Sequence, residues 1–106
     1  MKDILIWLQA QPGGTATYAA LVRKLEDALK FGHGDAAIVR MLALLTNRFV
    51  DAFERDPLPA PVNQQALEQL TLWVDRAVQL EGKGPAEKLD FLNDIAQTDL
   101  GSTGRG

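Results

Sequence analysis

Ala36-Ala37-Ile38-Val39-Arg40-Met41-Leu42-Ala43-Leu44-Leu45-Thr46-Asn47-Arg48-Phe49-Val50-Asp51-Ala52-Phe53 is the stretch on which the fold turns. Its large apolar residues (Ile38, Val39, Met41, Leu42, Leu45, Phe49, Val50 and Phe53) recur at intervals of three and four, the period of an α-helix. On a helical wheel they cover well over half the circumference. The remaining strip is narrow and holds Arg40, Asn47, Asp51 and Glu54. A helix apolar on most sides is surrounded by others. The stretch is therefore predicted to be a third helix, from Ala36 to about Arg55, at the middle of an all-α, single-domain bundle.

Immediately upstream, Gly32-His33-Gly34-Asp35 contains the only histidine of the chain. As a proton shuttle or metal ligand, His33 would need an orienting carboxylate or several further ligands. Only Asp35 stands near it. Neither a P-loop nor a dinucleotide-binding glycine pattern is present. The loop reads more simply as punctuation. Gly32 takes the left-handed conformation that ends one helix, and Asp35 caps the next. His33 is then exposed at a loop tip.

Working outward, a second helix is predicted from about Ala16 to Phe31, with Thr15 or Thr17 as cap. Its stripe comprises Tyr18, Leu21, Val22, Leu25 and Leu29. Before it, Pro12-Gly13-Gly14 ends a short first helix, from about Asp3 to Gln11, with Asp3 as its cap. On the other side, Pro57, Pro59 and Pro61 favour an extended connector. Asn63 is expected to cap a fourth helix to about Glu81, buried through Leu67, Leu70, Trp73, Val74, Ala77 and Val78. Pro85 opens a fifth helix, whose face is Phe91, Leu92, Ile95 and Ala96. The short loops after the second and fourth helices are expected to pack each against its successor. The bundle should span residues 1–100, with a flexible tail over 101–106.

Bulk properties narrow the function. The chain has 106 residues, no cysteine and a net charge of −3. Disulfides, zinc–thiolate sites and thiol nucleophiles are excluded. The longest early apolar run, Ile4 to Leu8, is too short to span a membrane or to form a signal core, so a cytoplasmic protein is expected. The acidic balance weighs against a nucleic-acid partner. Ser102, Thr15 and Thr17 have no accompanying base, and the lysines lie on polar faces. Glu87, Asp90 and Asp94 lack calcium-loop spacing and read as a solvated helix face. The aromatics Trp7, Tyr18, Phe49, Phe53 and Trp73 sit at helical spacing and read as core. No cofactor, metal site or catalytic residue is expected.

The stretch Ile4-Leu5-Ile6-Trp7-Leu8-Gln9-Ala10-Gln11-Pro12-Gly13-Gly14-Thr15, followed by a helix, resembles the first helix and turn of winged-helix regulators. The likeness stops there. The second helix is too long for a compact helix-turn-helix, the third is largely apolar with few arginines, and no hairpin wing follows. The chain is not assigned to that family.

What remains is a surface argument. Leu44 falls in the polar strip of the third helix, near Arg40 and Arg48. Leu72 falls on the polar side of the fourth, and Ile6 points opposite Ile4 and Leu8. Together with Trp7 these residues are candidate contacts, because an apolar centre rimmed by arginine matches interface composition. The short first helix, apolar on most sides, also needs cover, either from the fourth and fifth helices or from a second chain. The expected function is a small non-enzymatic interaction module (an adaptor, regulator or inhibitor) whose partner is another protein or itself as a homodimer. A helical DNA-binding regulator and a carboxylate-based enzyme or small-ligand binder are the alternatives.

Overall fold

In the computed structural model, which describes residues 1–53 and 56–97, the apolar periodicity resolves into five helices. They are α1 (Lys2–Gln9), α2 (Thr15–Lys30), α3 (Ala36–Ala52), α4 (Ala60–Gln79) and α5 (Pro85–Ala96). Among the described residues there is no strand, and the fold is an all-α bundle. The expected tail over 101–106 lies outside the described residues.

The helix ends show how local chemistry sets the boundaries. At α1 the Leu5 amide donates to the Met1 carbonyl at 3.1 Å. The cap position therefore belongs to Met1, and Asp3 sits within the first turn instead of capping it. Its carboxylate still favours the positive end of the helix. At α2 the cap position is Gly14, so neither threonine serves as the cap. Thr17 instead donates its hydroxyl back to the Gly13 carbonyl at 2.9 Å. Asp35 caps α3 as expected, accepting from the amides of Ala37 at 3.2 Å and Ile38 at 3.3 Å. That helix closes at Ala52, short of the expected Arg55.

The end of α2 is a glycine-dependent Schellman turn. The His33 amide donates to the Ala28 carbonyl at 2.7 Å, and the Gly32 amide to Leu29 at 3.3 Å. This pairing satisfies carbonyls that the helix leaves open, and it requires a left-handed residue at Gly32, whose φ is +74°.

The largest departure from expectation lies at α4. It starts at Ala60, three residues before Asn63, with Pro59 at the cap and Pro61 inside the first turn. Proline is tolerated there because its missing amide would have no intrahelical partner anyway. The Asn63 amide makes an early bond of the helix, to the Pro59 carbonyl at 2.9 Å. Its side chain is thereby released from capping.

Packing is organised around α3. Its buried face comprises Ile38, Val39, Leu42, Ala43, Thr46 and Phe49. Thr46, though polar, is fully buried and donates its hydroxyl to the Leu42 carbonyl at 2.7 Å. α3 lies mainly against α2 and also meets α5, while α1 packs on α4 and α2. Met41, Leu45, Val50 and Phe53, expected at the centre, are only partly buried at its margins. The reason is that the outward strip of α3 is not covered by another helix.

Two topological expectations are corrected. α4 and α5 are not close backbone neighbours, because α5 turns to lay Phe91 and Ile95 into the core beside α3. The link between α4 and α5 is made by side chains: Arg76 pairs with Asp94 at 2.8 Å and lies over the Phe91 ring at 4.9 Å. The cover required by α1 comes from α4 and α2 rather than from α4 and α5, and it buries Leu5 and Leu8.

Candidate interaction surface

The outward strip of α3 carries the clearest surface feature. Arg40, Leu44 and Arg48 follow one another at four-residue spacing, so they align along one side of the helix. All three are exposed, and Leu44 keeps 51% of its surface accessible. They lie opposite Leu42 and Thr46, which are fully buried. Asn47 and Asp51 share the strip and are also exposed, while Glu54, expected on it, lies outside the described residues. Among the described residues, Arg40, Arg48 and Asp51 have no ion-pair partner.

The other sequence-predicted contacts stand on different helices. Ile6 is 58% exposed on α1 and Leu72 is 63% exposed on α4. These two helices pack against each other, whereas α3 packs chiefly on α2 and α5. Trp7 is partly buried, and the Lys24 ammonium rests over its ring at 4.8 Å. A cation so placed contributes about 0.5–1 kcal/mol at an exposed site. Phe31 and Leu89, not singled out by sequence, are exposed as well. Phe31 directly precedes the glycine that ends α2, and that position in the run could have marked it as lying outside the packed stripe.

Two clefts open on one end of the bundle. One, of about 280 Å³, has Ile38, Val39, Ala77 and Leu80 in its walls and Asp35 and Lys88 at its edge. Those two charged groups pair at 3.3 Å, so Lys88 is not simply solvated on a polar face. The other, of about 250 Å³, is more open and is lined by Ile4, Lys24, Asp27, Ala28, Phe31 and His33. His33 is exposed at this rim. Among the described residues no three histidine, aspartate or glutamate side chains converge as a metal site would require. Of the acidic trio on α5, Asp94 is engaged by Arg76.

A polar junction that the sequence did not disclose lies at the opposite end of α2. The Asn63 side-chain oxygen accepts from the Gly14 amide at 2.7 Å and from the Tyr18 hydroxyl at 2.6 Å. The Asn63 carbonyl lies 2.9 Å from the same hydroxyl as a second acceptor. Tyr18 is fully buried and stands edge-on to Phe49, with ring centroids 5.4 Å apart. Burial pushes its phenol up to about 12. The junction fastens the loop after α1 to the first turn of α4. Its role is architectural: among the described residues no buried side-chain polar atom is left without a partner, and the phenol is far from titrating at neutral pH. The other aromatics expected in the core are distributed likewise, with Phe49 and Phe53 tilted together at 5.1 Å and Trp73 buried.

Fold and surface together define a small five-helix bundle with a bare, arginine-flanked face on its third helix. No family model matches this chain, and no curated protein or solved structure matches it either. No helix among the described residues is long and apolar enough to cross a membrane.

Proposed function

We propose that this protein is a non-enzymatic interaction module of the cytoplasm, an adaptor, regulator or inhibitor that presents the outer face of α3 to another polypeptide. The supporting observation is Leu44, half exposed between Arg40 and Arg48 on a helix whose opposite side is fully packed. The helix fixes the backbone positions of the three side chains, so the ordering cost of binding falls on the side chains alone. Burying the exposed half of Leu44 contributes about 1 kcal/mol, and the flanking guanidiniums offer bidentate pairing to carboxylates on a partner.

The test is a photo-crosslinking residue placed at position 44 of the full chain in its native host. A covalent adduct of defined mass is expected, stronger than that from the same residue placed at exposed Asn93 on α5 and lost when Arg48→Glu is added. An adduct at position 44 no stronger than at position 93 would remove the proposal.

A further inference from the structure

We infer that the face on α3 pairs with a second copy of itself, antiparallel, about a two-fold axis that runs between the two helices at the level of Leu45 and Thr46. The inference rests on the interaction reading above and supplies its partner. Arg40 and Asp51 are eleven residues apart. At 100° and 1.5 Å per residue, they lie on nearly the same line of the helix, about 17 Å from one another. Both are exposed, and among the described residues neither has an ion-pair partner.

The strip thus carries Arg40 at one end and Asp51 at the other, with Leu44 and Arg48 between them. An antiparallel copy in this register places Arg40 against the partner's Asp51, and Asp51 against the partner's Arg40. A two-fold axis makes such contacts reciprocal. The two Leu44 side chains fall about 5 Å apart along the seam, close enough to bury one another. Arg48 lies to one side of the strip, and the axis brings its copy to the same side, about 7.5 Å away along the seam, so this like-charge pair opposes association and the Arg40–Asp51 pairs have to outweigh it.

Parallel pairing would set Arg40 beside Arg40 and Asp51 beside Asp51, which disfavours that orientation. One helix against one helix buries less than the roughly 800 Å² per partner of a standard interface. The dimer is therefore weak and concentration-dependent.

The experiment is sedimentation equilibrium of the full chain from micromolar to millimolar concentration, with circular dichroism confirming that each variant remains helical. The wild-type average mass is expected to rise from 11.6 kDa towards twice that value. Arg40→Asp alone and Asp51→Arg alone should each weaken association about tenfold, because two attractions become two repulsions. The variant carrying both changes should recover to within about threefold of wild type, and an equimolar mixture of the two single variants should associate as heterodimers. A chain that stays at monomer mass throughout, or whose association is untouched by Arg40→Asp, overturns the self-pairing. So does a double change that fails to recover. If self-pairing fails while the residue at position 44 still cross-links a protein of different mass, the interaction reading survives alone. If neither occurs, both fall.

Discussion

Replacing Asn63 with alanine removes the side-chain oxygen that accepts from both the Gly14 amide and the Tyr18 hydroxyl. The two donors do not suffer equally. Tyr18 keeps the Asn63 carbonyl at 2.9 Å as an acceptor, because that group belongs to the backbone. Gly14 loses the 2.7 Å acceptor of its amide at a partly buried site, with the Tyr18 oxygen left beside it, and an unsatisfied donor costs about 1–3 kcal/mol. Alanine returns up to about 0.7 kcal/mol through better helix propensity. The net loss should be about 1–2 kcal/mol, or a fall in Tm of about 5–15 °C for a domain of this size. Urea unfolding followed by tryptophan fluorescence measures it, since Trp73 is buried and Trp7 partly so. Tyr18→Phe, which removes the donor and spares the Gly14 bond, should cost about 1 kcal/mol. Combining the two should cost less than their sum, since both act on one oxygen. An Asn63→Ala chain within about 0.5 kcal/mol of wild type, the range of ordinary surface changes, would refute the reasoning. Strict additivity of the two substitutions would do the same.

Tyr18 is the only tyrosine, so its ionisation can be followed directly by ultraviolet absorbance. Its pKa of about 12 exceeds the unfolded value of 10. The native state therefore holds the proton more tightly, and stability is lost as pH rises from about 10 towards about 12, by up to roughly 3 kcal/mol. Tyr18→Phe should abolish that component of the loss, and an unchanged alkaline profile would contradict the assignment. At Gly13, whose φ is +89°, an added Cβ would stand 2.6 Å from the Asn63 side-chain oxygen, whereas at Gly32 it would meet open space. Gly32→Ala should cost about 1–2 kcal/mol from backbone strain alone, and Gly13→Ala clearly more in the same urea assay. Equal losses would mean that the junction yields freely. Asp35→Ala should cost about 1–2 kcal/mol by removing the α3 cap and the Lys88 pair. Asp35→Asn, which keeps an acceptor, should retain most of that stability, and a loss as large as that of alanine would shift the weight to the ion pair.

Periodicity carried the architecture. The apolar run of α3, the glycine at the end of α2, the aspartate cap and the proline at the start of α5 were each legible from sequence, because each depends on neighbours within one or two turns. Leu44, Leu72 and Ile6 were placed on outward faces by the same wheel geometry. What the sequence concealed is what distant residues decide. Asn63 looked like a cap because asparagine commonly caps helices. It became a tertiary clamp because Pro59 and Pro61 could start the helix one turn earlier. The packing of α5 on α3 was also hidden, because loop length alone does not say which neighbour offers an apolar face to Phe91 and Ile95. The charge symmetry of the α3 strip is present in the sequence, but it acquires meaning only once that strip is seen to be uncovered.

The bond between Gly14 and Asn63 closes across 49 residues of chain, and α1 leans on α4 across a similar interval. During synthesis the α2–α3 hairpin can assemble as soon as it emerges. The first helix has to wait until the fourth has been delivered. A nascent chain halted near Asp51 would carry α1 with much of its greasy underside bare, a form suited to chaperone capture and poorly suited to partner recognition. α1 is thus made before the helix that covers it, and its packing reports on whether α4 has arrived.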